Sequence, residues 1–536
     1  MKEYKHFGVM VDCSRNAVMS VSAIKRFIDC LQKMHYNMLE LYTEDTFEVD
    51  GEPYFGYLRG RYTSAEIKEM DAYAAAHGIE LIPCIQTLAH FTNPAKLPRF
   101  EEIIDVADIL LIDEPKTYEF IERIFASLAK NFTSRNVNIG MDEAMLMGLG
   151  KYLKRNGYCD HYELLNKHLR RVVQIAEKYG FKAHMWSDMY FRPLLGGEHC
   201  GRDVYIPENI RKSVPEQVAL TYWDYYHTEQ EDYDSMMRSH KEFGNELWFA
   251  GGAWTWLGFV PRTRFTYRTM KLAMRSVQKY KVENVFITMW GDNGGECSKF
   301  SLLQALYAIR RYADGEYDDN VIAEEFFKLF GIRASNFDLL ELPDRIPQVD
   351  DSAKLCNASK FLLYADPFLG IPDMSVSKYD VIPYGNYAKA LQKAKTEVGE
   401  YAYIFDTLEK LCKVLEIKAY LGARTRDAYG KGDKSALHKL TEAYSETIKR
   451  IDEFFKAFSV QWHKDNKPFG FEVQCQRIGG LKERLAYCKS RIVDYLDGGV
   501  KTIPELEEKL LPYYPYPDHN DLFMGEWQRI VSACGI

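Results

Sequence analysis

Over roughly the first 310 residues, short apolar runs alternate with helix-like stripes. The run FGVMVD (7–12) is followed by Ile24, Phe27, Ile28, Leu31 and Met34, the spacing of one buried helix face. NMLELY (37–42) comes next. A helix start is then signalled by Thr63-Ser64-Ala65-Glu66, a serine cap region before Ile67, Met70 and Tyr73, and a stop by His77-Gly78. The series continues with IELIPCI (79–85), NVNIGM (136–141), KAHMWS (182–187), QVALTYW (217–223), ELWFAGG (246–252) and NVFITMW (284–290). Helical patterns separate most of them, notably at 115–130, 162–179, 232–243 and 267–280. Many of the runs are continuously apolar rather than alternating, as expected for parallel strands covered on both faces. Eight such βα units in about 300 residues predict an α/β fold of the (β/α)8 TIM barrel type. A doubly wound open sheet is the runner-up. No G-x-G-x-x-G or G-x-x-x-x-G-K-[ST] loop follows any strand, which weakens its nucleotide-binding version.

Beyond about residue 330 the strand runs nearly vanish. Ile404, Leu408, Leu411 and Leu415 share one helix face, and 436–458 and 480–496 read the same way. The expected organisation is a catalytic barrel over 1–330 and an α-helical C-terminal domain over 331–536, with the polar stretch around 345–355 as a connection.

Composition narrows the function. Of 536 residues, 46% are apolar and 27% charged, which excludes wholesale disorder. The mean hydropathy is −0.35 and no apolar run reaches 18 residues, so a membrane-spanning helix is not expected. A net charge of −8 without a Lys/Arg block argues against nucleic acid or an anionic membrane as partner. Aromatics stand out at 14%, and flat rings with polar edges suit sugars as well as packing. The N-terminal MKEYKHFGVMVD does not read as a signal peptide, and 11 scattered cysteines without a C-x-x-C pair fit reduced thiols, so a cytoplasmic location is expected. Asn131-Phe-Thr133 and Asn357-Ala-Ser359 match the glycosylation tripeptide but have no export signal to give them meaning.

In a (β/α)8 barrel the chemistry sits at the C-terminal ends of the strands. Those ends read Asp12-Cys-Ser-Arg15, Gln86 to His90, Asp142-Glu143, Trp186-Ser-Asp188, Trp223-Asp-Tyr225, Trp254-Thr-Trp256 and Trp290-Gly-Asp292. Packing alone favours Val, Ile and Leu there. Indoles, carboxylates and one arginine instead match what a single sugar residue needs: rings for its C–H face and charged partners for its hydroxyls. Asp142 and Glu143 are adjacent, so they cannot easily form the facing pair, roughly 5 Å apart, of an ordinary retaining glycosidase. At a strand end, though, both can reach different parts of one sugar. Glu44-Asp45, after the second strand, fits either the same rim or a solvated loop.

Asn138-Ile-Gly-Met-Asp142-Glu143 resembles the [HN]-x-G-x-D-E signature of glycoside hydrolase family 20, the β-N-acetylhexosaminidases. Asp12-Cys-Ser-Arg15 resembles the family's D-x-S-R, Tyr62 to Ile67 and Ala76 to Pro83 its second-helix and third-strand passage, and Met289-Trp-Gly-Asp292 its last-strand motif. The similarity spans about residues 5–310, and the small N-terminal domain of many members is not expected here. The resemblance implies substrate-assisted hydrolysis with retention, through an oxazolinium formed by the sugar's own 2-acetamido group. It assigns Glu143 as general acid and base, Asp142 as the group that orients the acetamide, and Arg15 and Asp292 as hydroxyl ligands. His90 stands where the family has the histidine of P-G-H, in a degraded motif, and either binds substrate or is structural. The family's tyrosine after the seventh strand is missing, and Tyr225 is the candidate replacement. Trp186, Trp223, Trp254 and Trp290 are the expected pocket walls, and Asp188 is a supporting acid. The expected activity is release of terminal β-GlcNAc, with GalNAc as an alternative, from a small glycan. No cofactor or metal is called for, and a homodimer is left open. An O-GlcNAcase-like enzyme and a non-catalytic carbohydrate-binding barrel are the competing readings.

Overall fold

A computed structural model describes residues 2–347, 357–376 and 381–512. Most of the stretch expected to connect the two domains, and the last residues of the helical region, lie outside them. Eight parallel strands close into a barrel: β1 (His6–Asp12), β2 (Met38–Tyr42), β3 (Glu80–Cys84), β4 (Asn136–Asn138), β5 (Lys182–Trp186), β6 (Ala219–Trp223), β7 (Leu247–Gly252) and β8 (Asn284–Met289). Each strand pairs with the next in sequence, and β8 returns to β1. All residues of β1, β2, β6, β7 and β8 are buried, which is why these runs are apolar without alternation.

All eight anticipated strands are present, and the (β/α)8 architecture is the observed one. Their limits differ at one informative place. The NVNIGM run ends as a strand at Asn138, because Gly140 and Met141 take φ of 74° and 70°, outside the β region. The second-strand helix (Ser64–Ala76) is capped by Thr63 rather than by serine: its hydroxyl accepts the Glu66 N–H at 3.2 Å, and the Glu66 carboxylate accepts the Thr63 N–H at 2.8 Å. Gly78, at φ 68°, ends it in the left-handed conformation. Other helices lie close to their expected positions, at Pro115–Asn131, His161–Lys178, Gln230–Lys241 and Thr263–Lys279. A small antiparallel pair, Ile104–Val106 with Ile109–Leu110, has no counterpart in the sequence reading.

The chain divides into two compact units. The first holds Met1–Trp254, Thr266–Trp290 and Leu303–Glu325; the second holds Thr255–Phe265, Gly291–Leu302 and the chain from Phe326 onward. The second unit is helical, with Ala402–Lys418, Lys434–Asp465 and Phe471–Leu496 as its long helices, and Ile404, Leu408, Leu411 and Leu415 buried on the expected face. Lys360 is fully buried there. Burial pulls its pKa down to about 8 against the pull of Glu296, whose carboxylate it meets at 2.6 Å. Arg477 binds the other Glu296 oxygen at 3.0 Å, so neither charge is left alone.

Among the described residues, no helix is long and apolar enough to cross a membrane, and none of the nine cysteines is in a disulfide. Both glycosylation-like asparagines are buried: Asn131 donates to Ser64 Oγ at 3.1 Å and Asn357 to the Leu257 carbonyl at 3.0 Å.

Candidate active site

Register brings the strand ends together. Asp12, Tyr42, Cys84 and Asn138 are successive partners across β1 to β4, so the loops that follow leave the barrel side by side. At the end of β4, Asn138 Oδ1 accepts the Gly140 N–H at 3.0 Å and starts a tight turn. Gly140 is needed there. A Cβ at this position would lie 2.1 Å from Gln86 Oε1 and 2.8 Å from the Ile85 carbonyl oxygen. Glu143, at φ 53°, is a third residue of the turn in the left-handed region.

This turn separates the two acids. Asp142 is buried. Its Oδ1 accepts from Gln86 Nε2 at 2.8 Å, and its Oδ2 lies 3.1 Å from His90 Nε2. Burial pushes the Asp142 pKa up, but the His90 charge and the hydrogen bonds from His90 and Gln86 outweigh it, and the carboxyl titrates below its ordinary value. For His90, burial acts downward and Asp142 overrides it, raising the ring to about 9. The pair is therefore carboxylate and imidazolium at neutral pH. The Glu143 carboxyl, by contrast, is 44% exposed. Its Oε2 is 3.9 Å from His90 Nε2 and its Oε1 is 3.0 Å from Arg192 Nη2. Its N–H donates to Asp188 Oδ2 at 3.1 Å. Asp188 is buried, and burial together with the Asp142 charge lifts its pKa to about 6 against the pull of Arg192.

Across the rim, Asp12 Oδ1 accepts from the Ser14 N–H and Oγ, both at 2.8 Å, and shapes the turn that carries Arg15. Arg15 meets Glu44 at 3.2 Å and Asp12 at 3.4 Å, with its guanidinium 5.7 Å from the Tyr42 ring and 6.0 Å from the Trp290 ring. Glu44 and Asp45 are both buried, so the solvated-loop alternative does not hold; Asp45 is engaged by Arg59 at 3.3 Å. The Tyr42 hydroxyl donates to Glu44 at 3.0 Å and accepts from Gln86 at 3.1 Å, which links Arg15 to Asp142.

The four expected indoles are not equivalent. Trp290 is half-buried, meets Tyr42 edge-on at 4.7 Å and donates its Nε1–H to the Tyr225 hydroxyl at 3.0 Å. Trp223 is 9% exposed and stacks with His199 (3.8 Å) and with Tyr225 (5.5 Å). Trp186 and Trp254 are enclosed, at 1% and 0%. Trp186 packs 6.1 Å from Trp290, and Trp254 donates to the Tyr225 carbonyl at 3.1 Å. Spacing along a strand end does not distinguish a ring on the surface from one beneath it. Asp292 is exposed and belongs to the second unit. The structure thus joins Arg15, His90, Asp142, Glu143, Trp186, Trp223, Tyr225, Trp254 and Trp290 into one connected rim. It adds Tyr42, Gln86 and Arg192, to which the sequence reading gave no role. Arg192, beyond a short helix (Asp188–Phe191), carries no motif that could have flagged it.

Two other features are separate from these acids. A cavity of about 520 Å³, lined by Lys5, His6, Lys182, His184, Glu246 and Trp248 among others, opens at the N-terminal strand ends, the end of such barrels that supports stability rather than catalysis. Among the described residues, Cys200, Asp224 and His227 converge within 4.8 Å. The Asp224 carboxylate accepts from the Tyr222 hydroxyl and meets His227, each at 2.7 Å, and burial raises the Cys200 thiol pKa.

Comparison with known proteins bears on this rim. Residues 4–240 match the model of the glycosyl hydrolase family 20 catalytic domain, and residues 335–524 that of the glycoside hydrolase 20C C-terminal domain. A beta-hexosaminidase of Vibrio furnissii is 26% identical over 230 residues, covering 34% of this chain and 37% of that protein. Human hexosaminidase D is 23% identical over 220 residues, covering 39% and 43%. A beta-hexosaminidase of Akkermansia muciniphila is 27% identical over 173 residues, and the chain spans 34% of its length. The chain thus matches about a third to two fifths of the length of these curated relatives. Among solved structures, a GH20 exo beta-N-acetylglucosaminidase from Vibrio harveyi in complex with N-acetylglucosamine aligns at a TM-score of 0.47 and 17% identity, covering 61% of this chain and 58% of that one.

Proposed function

The chain belongs to glycoside hydrolase family 20, and from that premise we propose that it is an exo-acting β-N-acetylhexosaminidase that removes terminal β-linked GlcNAc, with GalNAc as a second substrate, with retention. The observation that carries this reading is the division of labour within one dipeptide: Asp142 buried and held as a carboxylate, Glu143 open to solvent. Substrate-assisted cleavage needs both. The acetamido oxygen attacks C1 while the C1–O bond breaks, and the proton of Glu143 passes to the leaving oxygen. Asp142 accepts the acetamide N–H and balances the positive charge that develops on the ring it helps to form. Water then attacks C1, Glu143 takes its proton, and the oxazolinium reopens. Tyr225 supports the acetamide oxygen, Arg15 holds hydroxyls, and Trp290, the most exposed of the four indoles, faces the sugar ring. The intramolecular nucleophile supplies the proximity term, and acid–base help contributes roughly 10²–10⁴ in rate.

The test is a paired assay with nitrophenyl β-GlcNAc, β-GalNAc and β-glucoside. Turnover confined to the two N-acetyl sugars is the expected result. Equal cleavage of the glucoside contradicts the proposal.

A further inference from the structure

We propose that Arg192 is the positioning residue of the acid–base glutamate, an inference that rests on the role given to Glu143 above. A glutamate side chain that is 44% exposed has three rotatable bonds to fix, and an unrestrained carboxyl spends much of its time away from the leaving oxygen. Arg192 supplies the restraint. Its guanidinium is committed in three directions: Nε donates to Asp188 Oδ2 at 2.7 Å, Nη1 to the Gly197 carbonyl at 2.8 Å, and Nη2 to Glu143 Oε1 at 3.0 Å. A planar fork already held by Asp188 and Gly197 cannot swing freely, so the carboxyl it touches through its third arm is held as well.

The anchor is Asp188, 1% exposed. The same oxygen that receives Arg192 also accepts the Glu143 N–H at 3.1 Å. One buried carboxylate therefore fixes the main chain of Glu143 directly and its side chain through Arg192. His90 does not replace this contact, because its Nε2 lies 3.9 Å from the other Glu143 oxygen.

Chemistry gives the contact a direction. As Glu143 yields its proton to the leaving oxygen it becomes a carboxylate, and the fixed cation at Nη2 interacts more strongly with that charge than with the neutral acid. The interaction grows toward the transition state, which is the condition for accelerating a step. Its benefit must depend on how much the leaving group needs the proton.

The test uses the full chain carrying R192M, R192K, E143Q and the pair E143Q/R192M, with aryl β-GlcNAc substrates whose leaving groups run from phenol to dinitrophenol. Since acid–base help is worth roughly 10²–10⁴, R192M is expected to lower kcat/KM for the phenyl substrate on the order of 10- to 100-fold and for the dinitrophenyl substrate by less than about threefold. R192K, a cation with one nitrogen that cannot hold Asp188, Gly197 and Glu143 together, is expected to fall between. In the E143Q background R192M is expected to cost almost nothing further. A loss equal for all leaving groups, or one that adds fully to E143Q, overturns the assignment, as does unchanged activity. If R192M does not fold, the leaving-group dependence of R192K decides alone. Wild-type protein that cleaves none of the substrates overturns the proposed reaction and this assignment with it, whereas an active wild type with a uniform R192M loss overturns this assignment alone.

Discussion

Gly140→Ala is the sharpest structural perturbation of the acid-bearing turn. The residue sits at φ 74°, where a side chain costs about 1–2 kcal/mol. The new methyl would stand 2.1 Å from Gln86 Oε1, 2.6 Å from Gln86 Cδ and 2.8 Å from the Ile85 carbonyl oxygen, all inside van der Waals contact. Gln86 can give way, but it is the donor to Asp142 Oδ1 at 2.8 Å and the acceptor of the Met141 N–H at 3.3 Å. Overpacking of this kind costs about 1–3 kcal/mol, so the barrel should lose roughly 2–5 kcal/mol in all. Denaturant unfolding with intrinsic fluorescence measures the stability, and kcat/KM on an aryl β-GlcNAc measures the site. The expected outcome is a clear loss of both. Adding Gln86→Ala removes most of the clash, so the double variant should regain part of the stability without regaining activity, because Asp142 then lacks its amide donor. A G140A protein within about 0.5 kcal/mol of wild type, or effects of the two substitutions that simply add, would refute this account of the turn.

Two further outcomes follow from the Asp142 and His90 pair. His90 is raised to about 9 in the fold from an unfolded value near 6.5, so its stabilising contribution is fully present below about pH 6.5 and is lost as pH rises through 9; the shift corresponds to about 3 kcal/mol. Unfolding free energies measured from pH 6 to 10 should therefore decline for the wild type and run flatter for H90Q, and parallel curves would contradict the pairing. D142N should lose kcat with every leaving group, dinitrophenol included, since the proposed duty of Asp142 is toward the acetamide and not the departing oxygen; recovery with dinitrophenyl substrate would count against it.

Much of this was legible in the sequence, and what was missed has physical causes. A barrel strand buried on both faces has to be a continuous apolar run, so eight such runs sufficed to find the fold. Strand ends then located Arg15, Asp142 and Glu143, because a charged residue at the end of such a run has no packing reason to be there. The second contacts were hidden. Arg192 reaches Glu143 from 49 residues away, and Gln86 reaches Asp142 from 56, through register that no local pattern encodes. Burial of Glu44 was equally invisible, since it depends on Arg15 being near enough to compensate the charge. The indoles illustrate the same limit: spacing placed these four at strand ends, but only packing decides that Trp254 is enclosed while Trp290 is half-buried.

The central claim is that the sugar brings its own nucleophile and the neighbouring acids steer it. The most direct measurement is kcat/KM across aryl glycosides carrying N-acetyl, N-fluoroacetyl, N-difluoroacetyl and N-trifluoroacetyl groups. Each fluorine withdraws electron density from the attacking carbonyl oxygen, so the account predicts a steep, progressive fall in rate along the series. A flat series, with trifluoroacetyl substrate turned over as fast as acetyl, would contradict it.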